Sequence, residues 1–229
     1  MARVFILVEG ETEEDFVNEI LAPHLYHKGY QAVTVKLMGN ARQRNRRGGI
    51  KGWTAVRQEI IRYLNTDPSI YISTMADYYA LPKGGNNGWP GRFESPAQLH
   101  SNKAKYVENA LKKDISDGLS PLASNRFIPY VMMHEFEGLL FSDCQAFARS
   151  IGHEDLIPAL QSIRDKYDSP EEINDSPETH PSKRIIDLVP EYEKPLYGNL
   201  AAMEIGLSAL RKECPGFDRW LKRLEDAAQ

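Results

Sequence analysis

Short apolar runs and longer amphipathic stretches alternate along the first part of this chain. Val4–Val8 is a continuous apolar run, which is typical of a strand covered on both faces in a parallel sheet. Gln31–Leu37 alternates between polar and apolar positions and Ile70–Ala76 is again apolar, so both predict strands. Phe127–Met133 predicts a fourth strand.

Helices are predicted between the strands and throughout the C-terminal part. Thr12 with Asp15 forms a capping-box pattern at the start of the first helix. Ser95-Pro96 is typical of a helix start, and the helix that follows is predicted to run to about Lys113. After the fourth strand, the predicted helices cover residues 136–141, 143–150, 153–166, 182–188, 199–213 and 215–227.

Strands that alternate with helices predict an α/β fold. We expect a Rossmann-like, mostly parallel four-stranded sheet flanked by helices, with right-handed crossovers and a helical C-terminal extension. With 229 residues and 41% hydrophobic composition, the chain can bury a core without disulfide or metal staples. The expected organisation is an α/β domain over residues 1–145 and a helical extension over 146–229 that packs on the same domain.

The sequence also predicts a cytoplasmic protein without a membrane span. No apolar run approaches the roughly 20 residues that cross a bilayer, and the N-terminus has no signal-peptide pattern. Cys144 and Cys214 are isolated, with no spacing that indicates a disulfide framework or a zinc site, so we expect buried thiols.

Basic residues are concentrated in one glycine-rich segment. The net charge of −4 argues against a protein that binds nucleic acid over its whole surface, because such binding relies on neutralising phosphates. A local nucleic-acid contact remains open, and a solvated loop is the alternative. The candidate nucleic-acid-binding residues are Arg42, Arg44, Arg46, Arg47 and Lys51.

The segment Leu81–Pro96 has no hydrophobic periodicity and is longer than an ordinary connection between elements. Such segments are typical of functional loops or mobile flaps. Tyr78 and Tyr79 precede it and could either stack on nucleobases or pack in the core.

Acidic residues follow three of the four predicted strands directly. They are Glu9, Asp77 and Glu135. In open α/β sheets, ligands bind beyond the carboxyl ends of the strands, and several acids that meet there repel one another unless a cation lies between them. Hard oxygen ligands suit Mg²⁺ or Mn²⁺, so the sequence predicts a divalent-metal site.

Other acidic residues have competing explanations. Glu13, Glu14 and Asp15 lie in a first helical turn, where acids complement the helix dipole. Glu137 is a second candidate ligand close to Glu135, and only one of the two needs to reach the site. A turn or capping role is the alternative for Asp77.

Three cations farther along the chain could hold a scissile phosphate. Lys183 and Arg184 lie at a predicted helix start, and Lys194 follows in the next segment. The charge that develops on a phosphate during cleavage is stabilised by such cations. A solvated helix face explains these residues equally well.

An apolar strand followed by Glu-Gly-x-Thr-Glu-x-x-Phe resembles the first motif of Toprim domains. Taken together, several motifs resemble a prokaryotic Toprim-like family, domain of unknown function 4276, which is related to the Toprim domains of OLD-type nucleases. These motifs are Glu9–Glu13, Asp77–Pro82, Arg126–Tyr130, His134–Glu137, Pro181–Arg184, Gly206-Leu207 and Cys214-Pro215.

The resemblance implies a Toprim-like sheet in which Glu9 is the Toprim glutamate and Asp77 is the first acid of an Asp-x-Asp pair. Tyr79 stands where that pair has its second aspartate. The missing ligand would then come from Glu135, Glu137 or Asp143, although Asp143 is also placed as a helix N-cap.

The function predicted on these grounds is Mg²⁺- or Mn²⁺-dependent phosphodiester hydrolysis of DNA or RNA. The resemblance further implies a partner ATPase and a role in phage defence. The alternative is a Toprim-like regulatory or nucleic-acid-sensing subunit without turnover, which the altered Asp-x-Asp pair favours. A phosphoryl- or nucleotidyl-transferring enzyme would need a nucleotide pocket, and no P-loop or GxGxxG motif is present in the sequence.

Overall fold

The computed structural model describes residues 2–38, 49–133, 135–173 and 180–229. Within them the strands are β1 (Arg3–Val8), β2 (Ala32–Leu37), β3 (Ile70–Asp77), β4 (Phe127–Ile128) and β5 (Val131–Met132). The α-helices are α1 (Glu11–Phe16), α2 (Ala22–His27), α3 (Trp53–Thr66), α4 (His100–Ser116), α5 (Pro121–Ser124), α6 (Glu137–Leu140), α7 (Cys144–Ser150), α8 (Ile157–Arg164), α9 (Pro181–Leu188), α10 (Lys194–Glu213) and α11 (Pro215–Ala227).

The chain folds into two compact units. Unit 1 comprises Met1–Val131 together with Trp220–Gln229, and unit 2 comprises Met132–Arg219. The sequence analysis divided the chain at residue 145, into an α/β domain and a helical extension. These units have other bounds, and that division into domains stays a prediction.

Unit 1 is built on the sheet. Its strand order is β2-β1-β3-β4, the neighbouring strands along this order are parallel, and β5 pairs with β3. The predicted fold class, an α/β fold with a mostly parallel sheet flanked by helices, is confirmed. Ile6, Leu7 and Val8 are at most 1% exposed because β1 lies between β2 and β3.

The predicted fourth strand is divided into β4 and β5 at Pro129. Proline has no N–H to donate to a strand ladder, so the backbone pairing with β3 is interrupted at this residue. Side chains of β3 supply hydrogen bonds here instead: Ser73 Oγ donates to the Ile128 carbonyl at 2.6 Å. Thr74 Oγ1 donates to the Tyr130 carbonyl at 3.0 Å and accepts from the Tyr130 N–H at 3.1 Å. The prediction of one uninterrupted strand was wrong.

The C-terminal half of α11 packs within unit 1 through Trp220. Its indole lies parallel to the Tyr130 ring at a centroid distance of 4.5 Å, and its Nε1 donates to Ser73 Oγ at 2.8 Å. Trp220 is 2% exposed, so this hydrogen bond satisfies a donor that water does not reach. The last predicted helix, residues 215–227, is thus present, and its Trp220 belongs to the core of unit 1.

The predicted capping box of Thr12 and Asp15 was wrong. The helix begins at Glu11 with Gly10 as its N-cap, and the Glu13 carboxylate accepts a hydrogen bond from the Gly10 N–H at 3.0 Å. Beyond α1 the helix passes through a π-helical turn at Val17–Leu21 before α2. Pro23 in the first turn of α2 lacks the N–H of a regular ladder, which explains a local change of helical pitch before it.

Two other helix starts also differ from the predicted ones. Ser95–Ala97 forms only a short 3₁₀ turn, and α4 begins at His100. The Ser95 hydroxyl is engaged by the Arg92 carbonyl and the Tyr78 hydroxyl, so it does not cap the helix. Helix α10 begins at Lys194 and not at residue 199, and Gly206 interrupts it with a φ of 77°, a conformation that favours glycine.

Candidate functional site

Two of the predicted metal ligands, Glu9 and Asp77, lie at the same edge of the sheet in unit 1. β1 and β3 are parallel neighbours, with Val8 in register with Met75. Continuing that register by one residue sets Glu9 beside Ala76, so Asp77 is displaced from Glu9 by a single position along the strands. Both acids are half-buried. The fold therefore brings together two carboxylates at the carboxyl ends of adjacent strands.

The turn after Glu9 is held by a capping interaction. A Cβ atom on Gly10 would lie 3.2 Å from Glu13 Oε2, which is tighter than an ordinary contact. The hydrogen bond from the Gly10 N–H places the Glu13 carboxylate against the backbone next to Glu9. Glu13 is 7% exposed, so it caps the helix start and shapes the turn.

The donor set at this edge fits a hard divalent cation. Across the part of the chain that the structure describes, no three or more His, Cys, Asp or Glu side chains are grouped so as to hold a metal ion. Mg²⁺ keeps several waters and is commonly bound by one or two carboxylates together with substrate phosphates. Glu9 and Asp77 match that requirement, whereas a tetrahedral zinc site would need more ligands with nitrogen or sulfur atoms.

Asp77 is followed by two tyrosines with different environments. Tyr78 is 1% exposed and Tyr79 is 44% exposed, and their rings meet edge to face at 5.1 Å. One of the two therefore packs in the core, as the sequence analysis allowed, and the other faces solvent. Arg92, which the sequence analysis did not single out, lies with its guanidinium 3.9 Å from the centre of the Tyr78 ring.

Unit 2 contains the other predicted acids, Glu135 and Glu137. Lys194 Nζ lies 3.6 Å from Glu135 Oε1 and 3.6 Å from Glu137 Oε1. The ammonium group is therefore shared by the two carboxylates. Glu137 is 2% exposed, and a charge that is so deeply buried requires a partner of this kind. Lys194, predicted as a phosphate-binding cation, thus contacts two of the predicted acids.

Glu135 is also held by the N-terminus of α9. Its Oε2 accepts from the Ser182 N–H at 3.1 Å and lies 3.2 Å from His180 Nδ1. Burial, the largest influence, raises the pKa of Glu135, but the Ser182 hydrogen bonds, Lys194 and His180 together lower it below the ordinary value of 4.5. Glu135 is accordingly an ionised partner of this cluster. No sequence motif indicated His180, because its role depends on the chain returning to Glu135.

Ser182, His180 and Glu135 do not form the serine–histidine–acid relay of a hydrolase. His180 Nδ1 lies 3.0 Å from Ser182 Oγ and 3.2 Å from Glu135 Oε2, so both contacts use one ring nitrogen. A serine–histidine–acid relay needs the serine and the acid on opposite ring nitrogens. The Lys183 N–H also lies 3.3 Å from His180 Nδ1, and His180 is the N-cap residue of α9.

Tyr192 completes the surroundings of these acids in unit 2. Its side chain is buried, and its ring packs against that of Tyr197 at 5.9 Å. Burial, followed by the charges of Glu137 and Glu135, raises the pKa of the Tyr192 hydroxyl. The phenol therefore stays protonated beside the two carboxylates.

The other predicted site residues of unit 2, Lys183, Arg184 and Asp143, each have a different environment. Lys183 is exposed on α9, and Arg184 Nη2 donates to the Tyr167 hydroxyl at 3.1 Å. A phosphate-binding role for either stays a prediction. The predicted N-cap role of Asp143 is confirmed, since its Oδ1 accepts from the N–H groups of the second and third residues of α7 at 3.0 and 2.9 Å.

The predicted nucleic-acid-binding segment lies largely outside the described residues. Arg42, Arg44, Arg46 and Arg47 fall there, as does His134 of the fourth strand's motif. Lys51 is described: its side chain is exposed, and its carbonyl accepts from Trp89 Nε1 at 3.0 Å. Binding of nucleic acid by this segment stays a prediction.

The two cysteines are buried, as predicted. Burial raises the pKa of the Cys144 thiol to about 12, and it raises that of Cys214 as well. Neither is therefore a reactive thiolate at neutral pH. Among the described residues, no helix combines the length and the apolar character needed to cross a membrane.

Comparison with known proteins gave one family and a few solved structures. The model of the family described as "Domain of unknown function (DUF4276)" matches residues 8–225, in agreement with the family predicted from the motifs. A search of curated proteins gave no significant match.

Two of the similar solved structures come from OLD proteins. The C-terminal region of the Burkholderia pseudomallei OLD protein is 17% identical with a TM-score of 0.49, and the match covers 100% of both chains. The C-terminal region of the Xanthomonas campestris pv. campestris OLD protein is 18% identical with a TM-score of 0.46, and the match covers 100% of this chain and 96% of that chain.

Proposed function

The chain belongs to the DUF4276 family, and on that premise we propose that it is a Mg²⁺- or Mn²⁺-dependent phosphodiesterase of Toprim type that cleaves nucleic acid. The observation that carries the proposal is the position of Glu9 directly after β1 and of Asp77 as the last residue of β3, the parallel neighbour of β1. Open α/β sheets bind ligands at this edge.

In the proposed site, Glu9 and Asp77 hold the cation through their carboxylate oxygens. A bound Mg²⁺ or Mn²⁺ would supply Lewis-acid polarisation of the phosphate and a lowered pKa for an attacking water. The Gly10 turn and its Glu13 cap keep Glu9 at the end of β1. Because Tyr79 stands in place of a second aspartate, we propose a site with two protein carboxylates, whose remaining positions are left to water and phosphate oxygens.

The resemblance to OLD-type nucleases, which work with ATPases, supports a further part of the proposal. We propose that the chain acts with a partner ATPase in defence against phage, and that it does so in the cytoplasm. Co-purification of an ATPase with the tagged chain, followed by a nuclease assay with and without ATP, tests this part. If cleavage by the chain is the same with the co-purified ATPase as without it, both in the presence and in the absence of ATP, the proposed partnership is contradicted.

The second candidate function is a Toprim-like regulatory subunit without turnover. It is favoured by Tyr79 at the position of the second aspartate and by the two-carboxylate site itself, which has fewer protein ligands than a two-metal centre uses. This candidate predicts binding of nucleic acid without cleavage in the presence of either metal.

The deciding experiment compares cleavage of labelled single- and double-stranded DNA and RNA in Mg²⁺, Mn²⁺ and EDTA. We expect Glu9→Gln to abolish metal-dependent cleavage while changing the free energy of unfolding by no more than about 1 kcal/mol. Glu14→Gln, at a half-buried acid in the first turn of α1, is the matched control and should retain activity. Asp77→Asn should weaken Mn²⁺ binding in titration calorimetry. Full activity of Glu9→Gln, or an unchanged Mn²⁺ affinity of Asp77→Asn, would refute the proposed site.

A further inference from the structure

Two exposed aromatic residues of unit 1, Tyr79 and Phe93, follow Asp77 in the chain and are linked through Arg92, which precedes Phe93 and contacts the Tyr79 ring. We propose that Tyr79 and Phe93 form a stacking platform for unpaired nucleobases, so that the chain engages a single strand or a frayed end. This inference rests on the nuclease function proposed above and specifies the substrate class for the same site.

The platform residues are large, apolar and exposed. Tyr79 is 44% exposed and Phe93 is 75% exposed, and Leu99 and Tyr106 nearby in sequence are 74% and 37% exposed. Tyr79 follows Asp77 by two residues, which limits the distance between their Cα atoms to about 7 Å. Single exposed apolar residues need no explanation, but a series of them that follows the proposed metal ligand Asp77 in the chain is consistent with a binding surface.

Arg92 is buried against Tyr78 and Tyr79 and stands directly before Phe93 in the chain. It is 1% exposed, its Nε donates to the Tyr78 carbonyl at 2.7 Å, and its guanidinium lies 3.9 Å from the Tyr78 ring and 5.8 Å from the Tyr79 ring. Phe93 is the next residue along the chain. Burying an arginine is costly, so its hydrogen bond and ring contacts must hold this part of the loop firmly. The contact with Arg92 restricts the exposed Tyr79 ring before a ligand binds, which reduces the entropy lost on binding.

The loop that carries Phe93 is anchored at further points. Gly91 has a φ of 74°, and a Cβ atom there would lie 2.8 Å from the Ala110 Cβ and 3.3 Å from the Tyr106 ring, so the loop packs closely on α4. The Trp89 ring lies 5.0 Å from that of Trp53 in α3. The segment predicted as a functional loop or mobile flap is thus a packed loop that presents Phe93 to solvent.

Local charge favours a nucleic acid over an apolar protein partner as the ligand. Between Tyr79 and Tyr106 the basic side chains that reach solvent are Lys83, Lys103 and Lys105, and the acidic residue is Glu94, in a chain whose net charge is −4. Aromatic rings combined with local cations are the common means of binding single strands, because rings stack on bases and cations attract the phosphates.

The test measures binding in EDTA, where cleavage does not occur, by fluorescence anisotropy with a labelled single-stranded oligonucleotide and a blunt duplex of the same length. We expect Tyr79→Ala and Phe93→Ala each to weaken single-strand binding by roughly 5- to 150-fold, the range that corresponds to loss of one base–ring stack. Duplex binding should change by less than about 2-fold. Tyr79→Phe keeps the ring and should retain affinity, and Tyr26→Ala is the matched control, since Tyr26 is 48% exposed on α2.

The outcomes separate this inference from the nuclease function. Reduced single-strand binding by both alanine variants supports the platform even if the wild type cleaves no substrate, a result that would reject only the nuclease. If Tyr79→Ala and Phe93→Ala bind the single strand as tightly as the wild type and Tyr26→Ala do, the platform is overturned, even if metal-dependent cleavage is present. The exposed surface would then suit a protein partner. Phe93, at 75% exposed, allows the test to stand if Tyr79→Ala fails to fold.

Discussion

Replacing Lys194 by methionine should change both the stability of the chain and the pH dependence of that stability. The side chain keeps a similar length but loses the ammonium group that lies 3.6 Å from both Glu135 Oε1 and Glu137 Oε1. Two carboxylates would then remain close together without that cation, one of them 2% exposed. Like charges in this arrangement repel, and the buried carboxylate loses a partner.

The size of the effect follows from the geometry. At an effective dielectric constant of about 20, one ion pair at this separation contributes roughly 4 kcal/mol of Coulomb attraction. The Lys194 side chain is 40% exposed, so solvent screening and the desolvation of the ions reduce the net value. We therefore expect Lys194→Met to lower the free energy of unfolding by about 1–3 kcal/mol at neutral pH.

The effect should depend on pH in a defined direction. The pKa of Glu135 is lowered below its ordinary value of 4.5 in the folded chain. Its ionised form therefore contributes stability above pH 4.5, and this contribution is lost as the pH falls through the folded pKa. The difference between wild type and Lys194→Met should be largest at neutral pH and should shrink in acid.

Urea unfolding followed by far-ultraviolet circular dichroism measures this difference. The three tryptophans belong to unit 1, so their fluorescence reports poorly on the cluster in unit 2. Lys183→Met, a change at an exposed lysine of α9, should alter stability by less than about 0.5 kcal/mol. Glu137→Gln in the Lys194→Met background should restore part of the loss. A Lys194→Met variant as stable as Lys183→Met, or a difference that grows in acid, would refute the reasoning.

Two further predictions concern unit 1 and the basic segment. Ser73→Ala removes the acceptor of the buried Trp220 N–H and the donor to the Ile128 carbonyl. We therefore expect it to lower the free energy of unfolding, measured in urea, by about 1–3 kcal/mol. A change below about 0.5 kcal/mol would contradict the role given to the Ser73 hydroxyl. Neutralising Arg42, Arg44, Arg46, Arg47 and Lys51 should flatten the salt dependence of nucleic-acid binding, and an unchanged slope would identify the segment as a solvated loop.

The sequence alone was sufficient for the fold class and for the positions of Glu9 and Asp77 at strand ends. Glu135, in contrast, does not directly follow a strand, because the last of the described strands ends at Met132. The apolar run before Glu9 and the one before Asp77 identify buried strands, and the carboxyl ends of parallel strands necessarily meet at one edge. Both inferences use local patterns of apolar residues together with the general rules of parallel sheets. The predicted boundaries of the elements agreed less well with the structure. The first helix is capped by Gly10 and Glu13 and not by Thr12 and Asp15, and the predicted fourth strand is divided at Pro129.

Only the tertiary structure could decide which side chains become partners. Glu135 is held by Lys194 and His180, residues far from it in the chain, and neither contact follows from a local periodicity. Arg92 likewise stands in a segment without any hydrophobic pattern, yet it is buried against Tyr78. The physical reason is that strands and helices follow from short-range patterns, whereas hydrogen bonds and ion pairs between distant residues depend on how those elements pack against one another.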